Sequence, residues 1–150
     1  MSKKLETSVQ CRKCGYEQTL VLFRSIWAED PENRSLILND QINLFRCDNC
    51  NHRERLEFPF LCTNVGKGLA IWYEPYPDAQ IDADIEQYRK HMGANSFYAK
   101  APRIADWETF KATFLELEAA GPQLGQKPQY SSESRKIFRG FIDSLKGKKP

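Results

Sequence analysis

Two short stretches, CRKCGYE at 11–17 and CDNCNHR at 47–53, constrain this chain more than anything else in it. They hold four of its five cysteines, as two pairs with two residues inside each pair and 32 residues between the pairs. After the second cysteine of each pair stands Gly15 or Asn51. These two residue types enter the left-handed backbone region most readily. The spacing therefore predicts two matching tight turns, each with a positive φ just after the pair.

Two such turns facing each other across a small sheet supply four thiolates in a tetrahedron, the donor set of a closed zinc site. With two residues between the cysteines, both sulfurs can reach about 2.3 Å from one ion, and the amides beyond can turn toward them. Cys11, Cys14, Cys47 and Cys50 are thus the expected ligands of one structural Zn2+ per chain. Four sulfurs leave no open position for water, which points away from metal catalysis. An iron centre of rubredoxin type uses the same ligands and stays open at this point. A thioredoxin-like redox pair requires only one C-x2-C in a βαβ setting, so the second pair argues against it.

The remaining cysteine, Cys62 in FPFLCT, has no basic residues near it in sequence and reads as a buried apolar thiol rather than a nucleophile. His52 follows the second pair closely, yet four thiolates already complete a shell. His91 sits where a helix end favours a cation. No other grouping looks assembled for acid-base work, so a non-enzymatic protein is expected.

At 150 residues the chain has room for one core, and 41% hydrophobic content argues against disorder. MSKKLETSVQ lacks the apolar core of a secretory signal, and nowhere is there an apolar run of the roughly 18 residues a membrane span needs. With cysteines paired for metal, a reducing cytoplasm is the expected setting. The net charge of +2 announces no nucleic-acid binder by itself. Residues 1–76 balance ten Lys/Arg against ten Asp/Glu, whereas 135–149 set six against Asp143 alone.

Residues 6–11, 16–26, 41–47, 52–62 and 69–74 read as strands, rich in β-branched and aromatic residues. Asp30 followed by Pro31 starts a short helix between the cysteine arms. NVGKG at 64–68 turns one strand into the next. Ile81, Ile85, Tyr88 and Met92 recur at helical spacing up to Gly93, which predicts a helix of about three turns. NSFYAKAPRIA looks extended, with Pro102 confining it to a sheet edge. Asp106 caps a second long helix whose Trp107, Phe110, Phe114 and Leu117 share a face. The expected class is α+β: an antiparallel sheet bearing the four-cysteine, zinc-ribbon-like site, covering helices, and a C-terminal tail helix. The expected divisions are a domain over 1–120, a linker over 121–132, and a basic amphipathic helix over 133–150.

The run SVQCRKCGYEQTLVLFRSIWAEDPENRSLILNDQINLFRCDNCNHRERLEFPFLC, with LAIWYEPYP and RIADWETFKATFLELEAAGPQL after it, resembles the CpXC family over about 9–120. The resemblance implies that Cys11, Cys14, Cys47 and Cys50 hold the metal, and it implies no activity. Where the family name records proline after each first cysteine, this chain has Arg12 and Asp48, which frees φ there and leaves the sulfurs in place.

The leading expectation is a protein-interaction or regulatory module with an unidentified protein partner. Its candidate contacts are Trp72, Tyr73 and Tyr76 beside rigid prolines, and Phe138, Phe141 and Ile142 in the tail. Core packing is the competing reading of each. Nucleic acid is the alternative partner. Arg12, Lys13, Arg53 and Arg55 flank the cysteine turns, and the tail adds Arg135, Lys136, Arg139, Lys146, Lys148 and Lys149. Glu17, Asp48, Glu54 and Glu57 lie among the first group and reduce any positive field.

Overall fold

The structure, a computed structural model, describes residues 3–121. The tail helix and most of the linker expected from sequence lie outside the described residues.

Strands β1 (Lys4–Gln10) and β2 (Glu17–Phe23) form an antiparallel hairpin in which Gln10 faces Glu17. A shorter hairpin of β4 (Leu44–Arg46) and β5 (Arg53–Arg55) pairs Arg46 with Arg53. Between the hairpins run β3 (Ser25–Trp27) and helix α1 (Pro31–Leu38). The Asp30 side chain accepts from the Glu32 amide at 2.9 Å, and Pro31 occupies the first turn, where its missing N–H costs nothing.

The central sheet joins β3, β6 (Phe60–Asn64), β7 (Leu69–Tyr73) and the two-residue β8 (Arg103–Ile104), in that order. Its middle pair, β6 and β7, is antiparallel, as expected, and turns through Val65–Lys67 with Gly68 left-handed at φ 60°. The outer pairs, β3 with β6 and β7 with β8, are parallel. Parallel neighbours require long crossovers, here a segment holding α1 and the second hairpin on one side and α2 (Ala79–Met92) on the other. Only Arg103–Ile104 of the stretch expected to be extended is strand. Pro102 stands at its start, on the sheet edge, and its carbonyl accepts from the Trp72 amide at 2.8 Å.

Every residue of β6 and β7 is buried, because helices cover both faces. Side chains alternate across the sheet, so Phe60, Cys62, Leu69, Ile71 and Tyr73 meet Trp107, Phe110 and Phe114 of α3 (Trp107–Ala120). Leu61, Ala70 and Trp72 face the other way, toward Ile81 and Tyr88 of α2 and Tyr98 beyond it. The first core is aromatic at its centre: Phe60, Tyr73, Trp107 and Phe110 have ring centroids 5.1–6.2 Å apart. Burying each such side chain contributes about 1.5–3 kcal/mol, so these layers dominate the stability of the sheet. Asp78 and Asp106 cap α2 and α3 by accepting from the Gln80 and Thr109 amides, both at 2.9 Å. Among the described residues no helix is long and apolar enough to cross a membrane.

Candidate metal centre

Each cysteine pair is the loop of a hairpin. Residues 11–16 connect β1 to β2 and residues 47–52 connect β4 to β5, and the two loops repeat the same backbone bonds. The Gly15 amide donates to the Cys11 carbonyl at 2.9 Å, and the Asn51 amide to the Cys47 carbonyl at 3.0 Å. Cys11 N–H reaches the Tyr16 carbonyl, and Cys47 N–H the His52 carbonyl, both at 2.8 Å. Closing the loop this way needs a left-handed residue at the fifth position of the chain bend. Gly15 has φ 80° and Asn51 has φ 66°, as the sequence pattern predicts.

The four sulfurs of Cys11, Cys14, Cys47 and Cys50 all lie within 4.8 Å of one another. Contacts run across the hairpins, Cys11 to Cys50 at 3.6 Å and Cys14 to Cys47 at 3.5 Å. Sulfurs about 2.3 Å from one ion at the corners of a tetrahedron are about 3.7–3.8 Å apart, so the donor set fits a four-thiolate metal ion. Backbone and amide N–H groups support the sulfurs: Lys13 N–H to Cys11 at 3.4 Å, Cys50 N–H to Cys47 at 3.4 Å, and Asn49 Nδ2 to Cys14 at 3.5 Å. The Asn49 amide and the Tyr16 N–H hold the Cys14 thiol down, to about 6. At Cys50 the His52 N–H pulls the same way, but desolvation and the neighbouring cysteine sulfurs push its thiol up to about 12. Ionising the whole cluster accumulates like charge, which a bound cation relieves.

Cys11 and Cys47 are 3% and 0% exposed and pack with Phe45, Val9, Leu20 and Leu56 in a small cluster of their own. Cys14 is exposed and Cys50 half-buried. Two bridges that sequence reading did not identify join the hairpins. Gln18 of β2 donates to the Arg46 carbonyl and accepts from the Asp48 amide, both at 2.9 Å. Asn43, just before β4, bonds the backbone of Phe23 at the end of β2 through both ends of its amide. Polar residues at otherwise apolar strand positions were the available signal.

The side chains of the other singled-out residues are not among the four clustered sulfur donors. Cys62 is 0% exposed on β6, and burial pushes its thiol up. His52 has its ring 3.9 Å from Glu54, and His91 bonds Gln87 on α2 at 3.1 Å. Trp72 and Tyr73 are buried in the two cores, so core packing is their role. Tyr76 remains about half exposed. Arg55 is withdrawn from solvent: it stacks on Trp107, with its guanidinium carbon 4.1 Å from the ring centroid, and pairs with Glu57. Glu57 also accepts from the Tyr73 hydroxyl, and burial together with that carboxylate raises the phenol to about 12.

No curated protein sequence and no solved structure matches the chain. The family model described as CpXC protein matches residues 9–119, a span that contains both cysteine turns, the central sheet and α2, and almost all of α3. The chain is a member of the CpXC family.

Proposed function

We propose that the protein is a non-enzymatic zinc-ribbon module that presents its cysteine turns to a protein partner. The observation that carries the reading is the closed set of four sulfurs within 4.8 Å. Such a set supplies no labile coordination position and instead pins two hairpins whose own apolar cluster is small. Zinc is the ion proposed for this four-cysteine set, and iron held by the same ligands is the competing one. Free thiolates imply a reducing compartment, so the cytoplasm is the proposed location.

The outer surface of the two turns is where contact is proposed. Arg12, Lys13 and Tyr16 are exposed on one turn, Asp48 and Asn49 on the other, and Tyr16 is 45% exposed. A rigid turn carrying an aromatic and mixed charges suits a protein surface better than a phosphate backbone. Arg12 already lies 3.6 Å from Glu54, and Arg55 is stacked on Trp107, so the cationic set counted from sequence is weakened.

Elemental assay of the full chain, purified anaerobically, tests the metal: one zinc per chain is expected, and iron or no metal rejects it. For the partner, the intact chain and an Arg12→Ala, Tyr16→Ala variant serve as baits. A partner held only by the intact turn supports the reading, and one indifferent to the turn overturns it. Retention of random nucleic acid that falls steeply with salt would transfer the function to the alternative class.

A further inference from the structure

The four sulfurs are unequally protected. Cys11 and Cys47 are 3% and 0% exposed, whereas Cys14 stands in solvent. Cys14 lies 3.5 Å from Cys47, a residue of the opposite hairpin, and Cys11 is matched in the same way with Cys50 at 3.6 Å. The first sulfur a dissolved oxidant can reach therefore has a sulfur neighbour 3.5 Å away across the hairpins, that of Cys47. The remaining thiol, Cys62, is fully buried in the sheet and out of reach.

We propose that Cys14 is a peroxide-reactive modification site whose oxidation yields a Cys14–Cys47 disulfide and releases the metal. The metal part rests on the zinc reading above. In the first step the Cys14 thiolate attacks one oxygen of hydrogen peroxide. The O–O bond breaks, hydroxide leaves, and the sulfur becomes a sulfenic acid. In the second, the Cys47 thiolate attacks that sulfur and a second hydroxide leaves as the S–S bond forms. The sulfurs together lose two electrons and the peroxide gains them. Two of four ligands are consumed, so the site can no longer hold its ion tightly. The hairpins stay joined, since the new bond spans them as the metal did.

Asn49 moderates the reaction. Its Nδ2 donates to Cys14 Sγ at 3.5 Å, drawing electron density from the sulfur and so making the metal-held thiolate a weaker nucleophile toward peroxide. Removing one such hydrogen bond is expected to raise the rate about fivefold.

The test uses the full zinc-loaded chain, treated anaerobically with hydrogen peroxide. Released zinc is followed with a chromophoric chelator, and quenched samples are alkylated and mapped as non-reduced peptides. Loss of one zinc per chain in step with a Cys14–Cys47 linkage, Cys62 remaining alkylatable only after denaturation, and a roughly fivefold faster release in Asn49→Ala are expected. A first linkage within a pair, Cys11–Cys14 or Cys47–Cys50, overturns the proposal, as does oxidation that spares Cys14 or an Asn49→Ala rate no faster than wild type. Metal content before peroxide is measured separately. A chain without zinc that still forms Cys14–Cys47 rejects the zinc reading and keeps the modification site.

Discussion

Asn43 stands in for a strand against Phe23: its Oδ1 accepts from the Phe23 amide at 2.7 Å and its Nδ2 donates to the Phe23 carbonyl at 3.2 Å. Its own carbonyl takes the Leu56 amide at 3.0 Å, so one buried residue, at φ 53°, ties the first hairpin to the second. Replacing it with alanine removes both side-chain bonds, strands buried backbone groups at Phe23, and keeps the unfavourable φ. Asn43→Ala is expected to cost about 2–4 kcal/mol, read as a lower urea midpoint with an unchanged slope. A change under about 0.5 kcal/mol would mean that water replaces the amide fully.

The two cysteine turns share a backbone but differ in how they meet its demand. At Gly15 an added Cβ would find nothing nearer than the Gln10 side chain, at 3.9 Å, so any penalty there is conformational rather than steric crowding. Gly15→Ala should cost about 1–2 kcal/mol, Asn51→Val at least as much, and Asn51→Gly a few tenths. Equilibrium unfolding of the three variants with zinc present checks the order. Gly15→Ala as stable as wild type would contradict the left-handed turn.

The apolar cluster around the cysteines is separate from the two cores of the central sheet, and metal removal should therefore act locally. At free zinc a thousandfold above its dissociation constant, binding adds about 4 kcal/mol to whatever needs it to fold. Excess chelator is expected to speed amide exchange across residues 4–23 and 44–55 while 60–73 and 107–120 stay protected. Uniform loss of protection along the chain would show instead that the sheet depends on the centre.

Arg34 of α1 and Glu118 of α3 form a bidentate pair, 2.8 Å from Nε and 2.7 Å from Nη2. Those bonds lower the Glu118 carboxyl below its usual 4.5. A carboxyl lowered on folding contributes stability above its unfolded value, and the contribution disappears as pH falls through the folded one. Glu118→Gln should thus be less stable than wild type at pH 7, by about 1 kcal/mol given the half-exposed arginine. The gap should close below about pH 4.5. A gap that widens on acidification would exclude Glu118 as its source.

Much of this molecule was legible locally. The pairs at 11–14 and 47–50, the left-handed Gly15 and Asn51, the Asp30 and Asp106 caps, and the helical face of Trp107, Phe110 and Phe114 depend on chemistry within a few residues of chain. The extended reading of 95–105 shrank to two strand residues because Ser96 closes a turn instead, its hydroxyl accepting from Ala99 and its carbonyl from Lys100. Trp72 and Tyr73 could be read as contact or core, since an aromatic strand beside prolines looks alike in both roles.

By itself the sequence determined the two cysteine turns and the helix starts at Asp30 and Asp106, because backbone angles and short-range hydrogen bonds answer to neighbouring residues. Only the tertiary structure decided that β7 is covered on both faces, that β3 and β8 join in parallel, that Arg55 leaves solvent to stack on Trp107, and that Cys14 lies against Cys47. Those outcomes depend on which distant segments meet, and that is set by the summed burial of both helices against the sheet rather than by any local preference.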